Sequence, residues 1–282
     1  MPAPLHLTNG DAPVPDVARA AGVAPAEVLP WRDVLQDGPV PAGLDPDELA
    51  AVRAAHLAAR GWTTEAAALE MLRERDARLA AHPAGAEVVL WFEDDLYDAL
   101  QLAQIADRMA GRPGPVTLVR LPHGPRGDLR AAWEARTPFE PGPAPLAALR
   151  SPDPRAWEDV PAFGRLLEEL PDARTGLSRL EREILAVLAP GPLEPEQLFL
   201  RVAEREQPPW LGDSAVFAAA ACLAGLVGET GTGYELTPAG EAVLAGDATR
   251  APHDHWIGGV HLGPGEPRWA WDAATRRAVR LG

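Results

Sequence analysis

The stretch that decides the fold is EVVLWFEDDLYDALQL, residues 87–102. Val88 to Phe92 run without a polar break, as in a strand covered on both faces. The run ends in Glu93-Asp94-Asp95, and Asp98 follows one helical turn later. From Leu96 the apolar spacing becomes helical, with Leu100, Ala103 and Ala106 on the same side, until Gly111-Arg112-Pro113 stops it. Asp94 or Asp95 reads as the helix N-cap, where a carboxylate accepts an orphan N–H and opposes the dipole, worth about 0.5–2 kcal/mol. Asp98 reads as solvated surface. Glu93 still belongs to the strand, directly behind Trp91 and Phe92, where an unpaired buried carboxylate is costly. Capping does not explain it.

Three more short apolar runs read as strands: PLHLT (4–8), AEVLPW (26–31) and PVTLVRL (115–121). Helical patterns lie between them. Asp45-Pro46-Asp47-Glu48 supplies a cap, a first-turn proline and an acid at the third position, and Gly61 ends that helix. Thr64 opens another, closed by His82-Pro83. Strands alternating with helices predict an α/β domain with a largely parallel sheet over residues 1–137. Residues 138–154 hold six prolines and read as a linker. Over 155–250 come LSRLEREILAVLAPG, EPEQLFLRVAERE, GDSAVFAAAACLAGL and VGETGTGYELTPAGEAVLAG. Three helices, a Gly-rich hairpin and a closing helix make a winged-helix-like domain, and Ser178 with Glu181 predicts a capping box. YELTPAGEAVL resembles the wing-to-last-helix passage of bacterial winged-helix regulators. Residues 251–282 read as a short C-terminal β segment, with Trp269 and Trp271 on one strand face.

The 282 residues suffice for two cored domains. The formal charge is −15, from 41 acidic and 26 basic residues, and every basic residue is arginine. That bias fits the codon usage of a GC-rich bacterium and excludes lysine mechanisms, Schiff bases and a P-loop lysine included. An acidic chain is a poor general binder of nucleic acid. The start MPAPLHLTNG lacks the basic and apolar regions of a signal peptide, and no apolar run reaches the length of a membrane span, so a cytoplasmic protein with no membrane partner is expected. The one cysteine, Cys222 in AAACLAGLV, reads as a small buried residue and excludes an internal disulfide.

In open α/β sheets ligands bind at the carboxyl ends of the strands. Those ends are Asn9-Gly10-Asp11, Trp31-Arg32-Asp33, Glu93-Asp94-Asp95 and Leu121-Pro122-His123. A parallel sheet would bring Asp11, Asp33, Glu93 and Asp95 to one cleft with Arg32 and His123. Several carboxylates suit Mg²⁺ or Mn²⁺, which recruits phosphate, and an arginine clamps an anion. The expected metal ligands are Asp11, Glu93 and Asp95. Asn9, Gly10, Asp11, Arg32 and His123 would bind the ligand, and Glu93, Asp11 and Asp33 are the candidates for catalysis. Asn9-Gly10-Asp11 reads equally well as a simple turn, and Asp37-Gly38-Pro39 reads as one. His253, His255 and His261 have a zinc-like spacing but no cysteine partners. The helix that a DNA reader would place in the major groove, GDSAVFAAAACLAGL, has no basic residue; it reads as packed on both sides and unfit to read DNA.

LHLTNGD, LPWRDVLQDGPVP, VVLWFEDDLYDALQL, RTGLSRLEREIL and HWIGGVHL together resemble a bacterial family catalogued as domain of unknown function 1835. The resemblance spans nearly the whole chain and implies the same two-part architecture, with no activity to carry over. It also implies that Asp94 is a poor ligand and that a zinc site would lack His255, since relatives carry other residues at those two positions. The expected function is binding of a small anionic or phosphorylated ligand, with metal-assisted phosphoester hydrolysis or transfer as the enzymatic version. The alternative is a protein-interaction or regulatory module whose acids are caps, or are neutralised by arginines of segment 112–130.

Overall fold

The structure, a computed structural model, describes residues 2–123, 129–208 and 210–281. It divides into two compact units, Met1–Asp153 with Gly258–Val260, and Pro154–Ile257 with His261–Gly282.

The first unit is a mixed α/β layer structure. Its strands are β1 (Leu5–Thr8), β2 (Val28–Pro30), a two-residue β3 (Gly38–Pro39), β4 (Val88–Phe92), β5 (Val116–Arg120) and β6 (Thr137–Pro138). Its helices are α1 (Val14–Ala21), α2 (Pro46–Ala59), α3 (Glu65–Ala81), α4 (Leu96–Arg108), α5 (Arg130–Glu134) and α6 (Ala144–Leu149). The five-stranded sheet has the order β2-β1-β4-β5-β6, parallel except for β6, with Leu7 beside both Leu29 and Leu90. Both faces are covered, which is why the strands carry almost no polar alternation. On one face Leu5, Leu7, Leu29, Leu90 and Phe92 pack with Leu102 and Ile105 of α4 and with Met109 at its end. On the other, Val28, Val89, Trp91 and Val119 meet Val17 and Ala18 of α1, and Leu129. His6 lies on this second face; Trp91 Nε1 donates to its Nδ1 at 3.0 Å, and burial pushes the imidazole pKa down. The caps at Asp45, with Glu48 answering, and at Thr64 form as their sequence predicts.

The proline-rich stretch 138–154 is not a linker. Phe139 N–H bonds to Val116 O, extending the β5–β6 ladder, and Pro143 to Pro145 begin α6 rather than break the chain. Leu146 and Leu149, three apart, are buried, and α6 packs along α4. A proline costs no hydrogen bond in a helix's first turn, so proline density misleads here. Arg150 then donates to the carbonyls of Pro41 and Leu44 at 2.8 and 2.7 Å.

The second unit holds α7 (Gly164–Leu167), α8 (Arg179–Leu188), α9 (Pro195–Ala203), α10 (Asp213–Cys222), the antiparallel pair β7 (Val227–Glu229) and β8 (Tyr234–Leu236), and α11 (Pro238–Ala245). The capping box of Ser178 and Glu181 opens α8 as expected. The pair β9 (His255–Gly258) and β10 (Val260–Leu262) is followed by the hairpin β11 (Trp269–Asp272) and β12 (Arg277–Arg280). The turn between β9 and β10, residues 258–260, belongs to the first unit. There Val40 N–H donates to Gly258 O at 2.7 Å and Gly259 N–H to Leu149 O at 2.8 Å.

Two expectations about α10 fail. Only Val216 and Ala220 are buried within it, so it is not packed on both sides, and Cys222 is exposed. An alanine-rich helix has too little side chain to reveal which face it covers. Among the described residues no helix is long and apolar enough to cross a membrane.

Candidate functional site

The chain enters the sheet at β1, steps through α1 to β2 on one side, and later crosses to β4 on the other side of β1. Helices α1 and α4 therefore lie on opposite faces. The ends of β1 and β4 open between them, at the switch point where ligands bind in such sheets.

Asp95 is the N-cap of α4, its Oδ1 accepting from Asp98 N–H at 2.9 Å. This settles the choice between Asp94 and Asp95. Asp94 is solvated and pairs with Arg120 at 3.2 Å. Glu93 Oε2 lies 2.9 Å from Nδ1 of His123, which follows β5, and Asp95 Oδ2 lies 4.0 Å from the same nitrogen. Glu93, Asp95 and His123 each offer one ligand atom, all within 4.8 Å of one another, and are the one such group among the described residues.

Asp98 is not surface. It is fully buried, accepting from Asn9 Nδ2 at 2.7 Å and from the backbone N–H of Glu93, so it ties the end of β1 to the end of β4. Asp98 sits three residues after the cap, where a capping-box acid turns back to the N-cap N–H; here it reaches the Glu93 N–H instead. That D-x-x-D spacing is the signal that marks it. Burial, then the charge of Asp95, pushes the Asp98 carboxyl pKa up to about 8. Burial likewise raises Asp95 to about 6, with Glu93 adding to it.

The remaining expected site residues go elsewhere. Asp11 does not reach Glu93 and Asp95. It forms a two-pronged ion pair with Arg32, at 2.7 and 2.5 Å, on the exposed rim, and that guanidinium holds its carboxyl below the ordinary range. Gly10 (φ 120°) makes the turn between Asn9 and Asp11, its carbonyl accepting from Thr8 Oγ1 at 2.8 Å. Asp33 is buried behind the site, where its Oδ1 takes Nε and Nη2 of Arg53 at 3.0 and 2.9 Å. It therefore leaves the set of metal and catalytic candidates, because α2 delivers an arginine that sequence distance concealed. Of the 112–130 arginines, Arg112 bonds to the carbonyls of His82 and Pro83, Arg120 to Asp94 and Arg130 to Glu134. Arg126 lies outside the described residues.

Buried acids elsewhere face guanidinium groups. Asp33 has Arg53, Glu181 has Arg250, and Glu206 has Arg165 and Arg179. Asp98 has only an amide and a backbone N–H, and no described arginine pairs with it or with Asp95. No family model and no curated protein matches the chain.

The zinc spacing in the second unit does not become a site. The rings of His253 and His255 stack at 4.0 Å, while His261 sits between Asp254 and Glu266 with its ring on Trp256.

Proposed function

We propose that the first unit binds a divalent cation through Glu93, Asp95 and His123, and through it a small anionic or phosphorylated molecule at the β1–β4 switch point. The observation carrying this is the fully buried Asp98 beside Asp95, whose side chain is 6 % exposed, neither with a described guanidinium, in a protein that pairs its other buried acids with arginine. Ionising a buried carboxyl is costly, and a bound cation offsets that cost. Three protein ligands leave coordination positions for a phosphate or carboxylate oxygen and for water. The enzymatic form is metal-assisted phosphoester hydrolysis or transfer, the cation polarising the phosphoryl oxygen. Asn9 joins the end of β1 to Asp98, and Arg32 lies on the rim. Both Mg²⁺ and Mn²⁺ are compatible with this reading. The quoted motifs support membership of domain of unknown function 1835 as a further proposal.

Thermal unfolding with Mg²⁺, Mn²⁺ and Ca²⁺, alone and with nucleotides and sugar phosphates, tests the proposal. A ligand at a hundred times its Kd adds about 2.7 kcal/mol. For a unit of this size the midpoint should rise by about 5–10 °C in wild type and stay still in Glu93→Gln. A wild-type midpoint that no cation moves would sink the reading.

The second reading is a protein-interaction module. It is supported by the order α8, α9, α10, β7–β8, α11, which fits a winged helix, by an α10 with no basic side chain, and by Leu200 exposed on α9. Such a domain does not read DNA. Fluorescence anisotropy of labelled duplexes at low salt should stay flat with added protein, and saturable binding would overturn that reading of the helix.

A further inference from the structure

We infer that the cation at Glu93, Asp95 and His123 is a first-row transition ion, with Mn²⁺ as its simplest representative, in preference to Mg²⁺. This rests on the cation site proposed above and names the class of ion it takes.

The donor set is two carboxylate oxygens and one imidazole nitrogen, from two strand ends: Glu93 and Asp95 after β4, His123 after β5. Mg²⁺ favours oxygen ligands and holds its waters, whereas imidazole suits the transition ions and carboxylate suits Mn²⁺. The two separations from His123 Nδ1 fall within the span of one coordination sphere. Ligand atoms each about 2.1 Å from a centre stand about 3 Å apart at right angles and about 4.2 Å apart when opposed. Glu93 Oε2 and His123 Nδ1 are 2.9 Å apart, the right-angle spacing, and Asp95 Oδ2 lies 4.0 Å from the same nitrogen, near the opposed limit. The Asp95 side is held in place independently of any ion, because its Oδ1 is spent on capping α4 and Oδ2 is the oxygen turned to His123. Asp98 holds the backbone of Glu93, and the Glu93 carboxylate already meets His123 Nδ1. His123 is the one member of the set on a separate strand end, and it decides the ion class.

The test uses the full chain stripped with a chelator and titrated calorimetrically with MnCl₂ or MgCl₂, followed by electron spin echo spectroscopy of the Mn²⁺ form. Mn²⁺ should bind at least about tenfold tighter than Mg²⁺, and its echo should carry the modulation of a directly bound imidazole nitrogen. In His123→Asn the Mn²⁺ preference and the nitrogen modulation should both disappear while Mg²⁺ affinity changes little. Asp94→Asn, on the solvated neighbour, should behave as wild type and shows that a surface change alone moves nothing. If Mg²⁺ binds as tightly as Mn²⁺ and Glu93→Gln abolishes both, the ion class is overturned and the site reading survives. Mn²⁺ bound without nitrogen modulation also overturns the ion class. If neither ion binds, both the inference and the site reading fall.

Discussion

Replacing Arg53 by alanine is expected to cost the first unit about 3–5 kcal/mol, the largest single effect predicted for this protein. Arg53 is wholly buried on α2. Its Nε and Nη2 hold Asp33 Oδ1, its Nη1 donates to Asp37 O at 2.8 Å, and its Nη2 also reaches Val34 O at 2.8 Å. Alanine leaves a buried carboxylate without its counter-charge, its Oδ1 keeping only the Val34 N–H and its Oδ2 having no hydrogen-bond partner, and it removes a donor from the carbonyls of Asp37 and Val34. Breaking a buried pair from one side is therefore far worse than removing both charges. The double variant Asp33→Asn/Arg53→Met should recover a large part of the loss, and urea unfolding monitored by tryptophan fluorescence would read both values. A loss below about 1 kcal/mol in Arg53→Ala would mean that water reaches Asp33. The same variants test the assignment of roles. Because Asp33 serves the scaffold, Asp33→Asn should leave cation affinity unchanged even as it loosens the fold.

The second large effect belongs to Gly259. A β-carbon there would lie 2.2 Å from Arg150 O and 2.8 Å from Ser151 O, both backbone atoms with no side-chain freedom to yield. Its neighbour Gly258 has a positive φ of 55°, and a β-carbon there would meet Leu149 O at 2.7 Å. Gly259→Ala must push residues 258–260 off the 149–151 segment, losing the bond from its N–H to Leu149 O and with it the contact of Val40 N–H with Gly258 O. A loss of about 2–3 kcal/mol is expected, at the upper end of what forced overpacking costs. Gly142→Ala is the control, since its β-carbon would meet nothing within 4 Å and its φ, like that of Gly259, is not positive. Equal losses in the two variants would show that the close approach does not set the requirement for glycine at 259.

The sheet was readable in advance because burial on both faces leaves strands as unbroken apolar runs, and Val88 to Phe92 is the plainest of them. The cap at Asp95 was readable because it depends on chemistry within three residues. Glu93 and His123 were readable only as strand ends; that they meet follows from β4 and β5 being parallel neighbours. Asp98 was misread because its burial depends on Asn9, eighty-nine positions away in the chain, and local patterning carries no trace of that partner. Asp33 failed for the same reason with Arg53, which arrives on a helix whose apolar face gives no hint that an arginine is buried in it. Asp11 and Asp33 left the group because Arg32 and Arg53 hold them, whereas Glu93 and Asp95 meet His123.

The return of Gly258–Val260 to the first unit has a consequence for synthesis. The chain leaves that unit after Asp153, supplies its last piece about a hundred residues later and then goes back to the second unit, so each unit is built from two separate stretches. During translation at about 5–20 residues per second, the first unit waits several seconds or more for its closing turn after its sheet has emerged. A fragment ending at Asp153 would therefore be an incomplete domain, leaving Val40 N–H and Leu149 O without the partners that residues 258–259 provide. Expression boundaries drawn from the linear order of the elements would cut this protein in the wrong place.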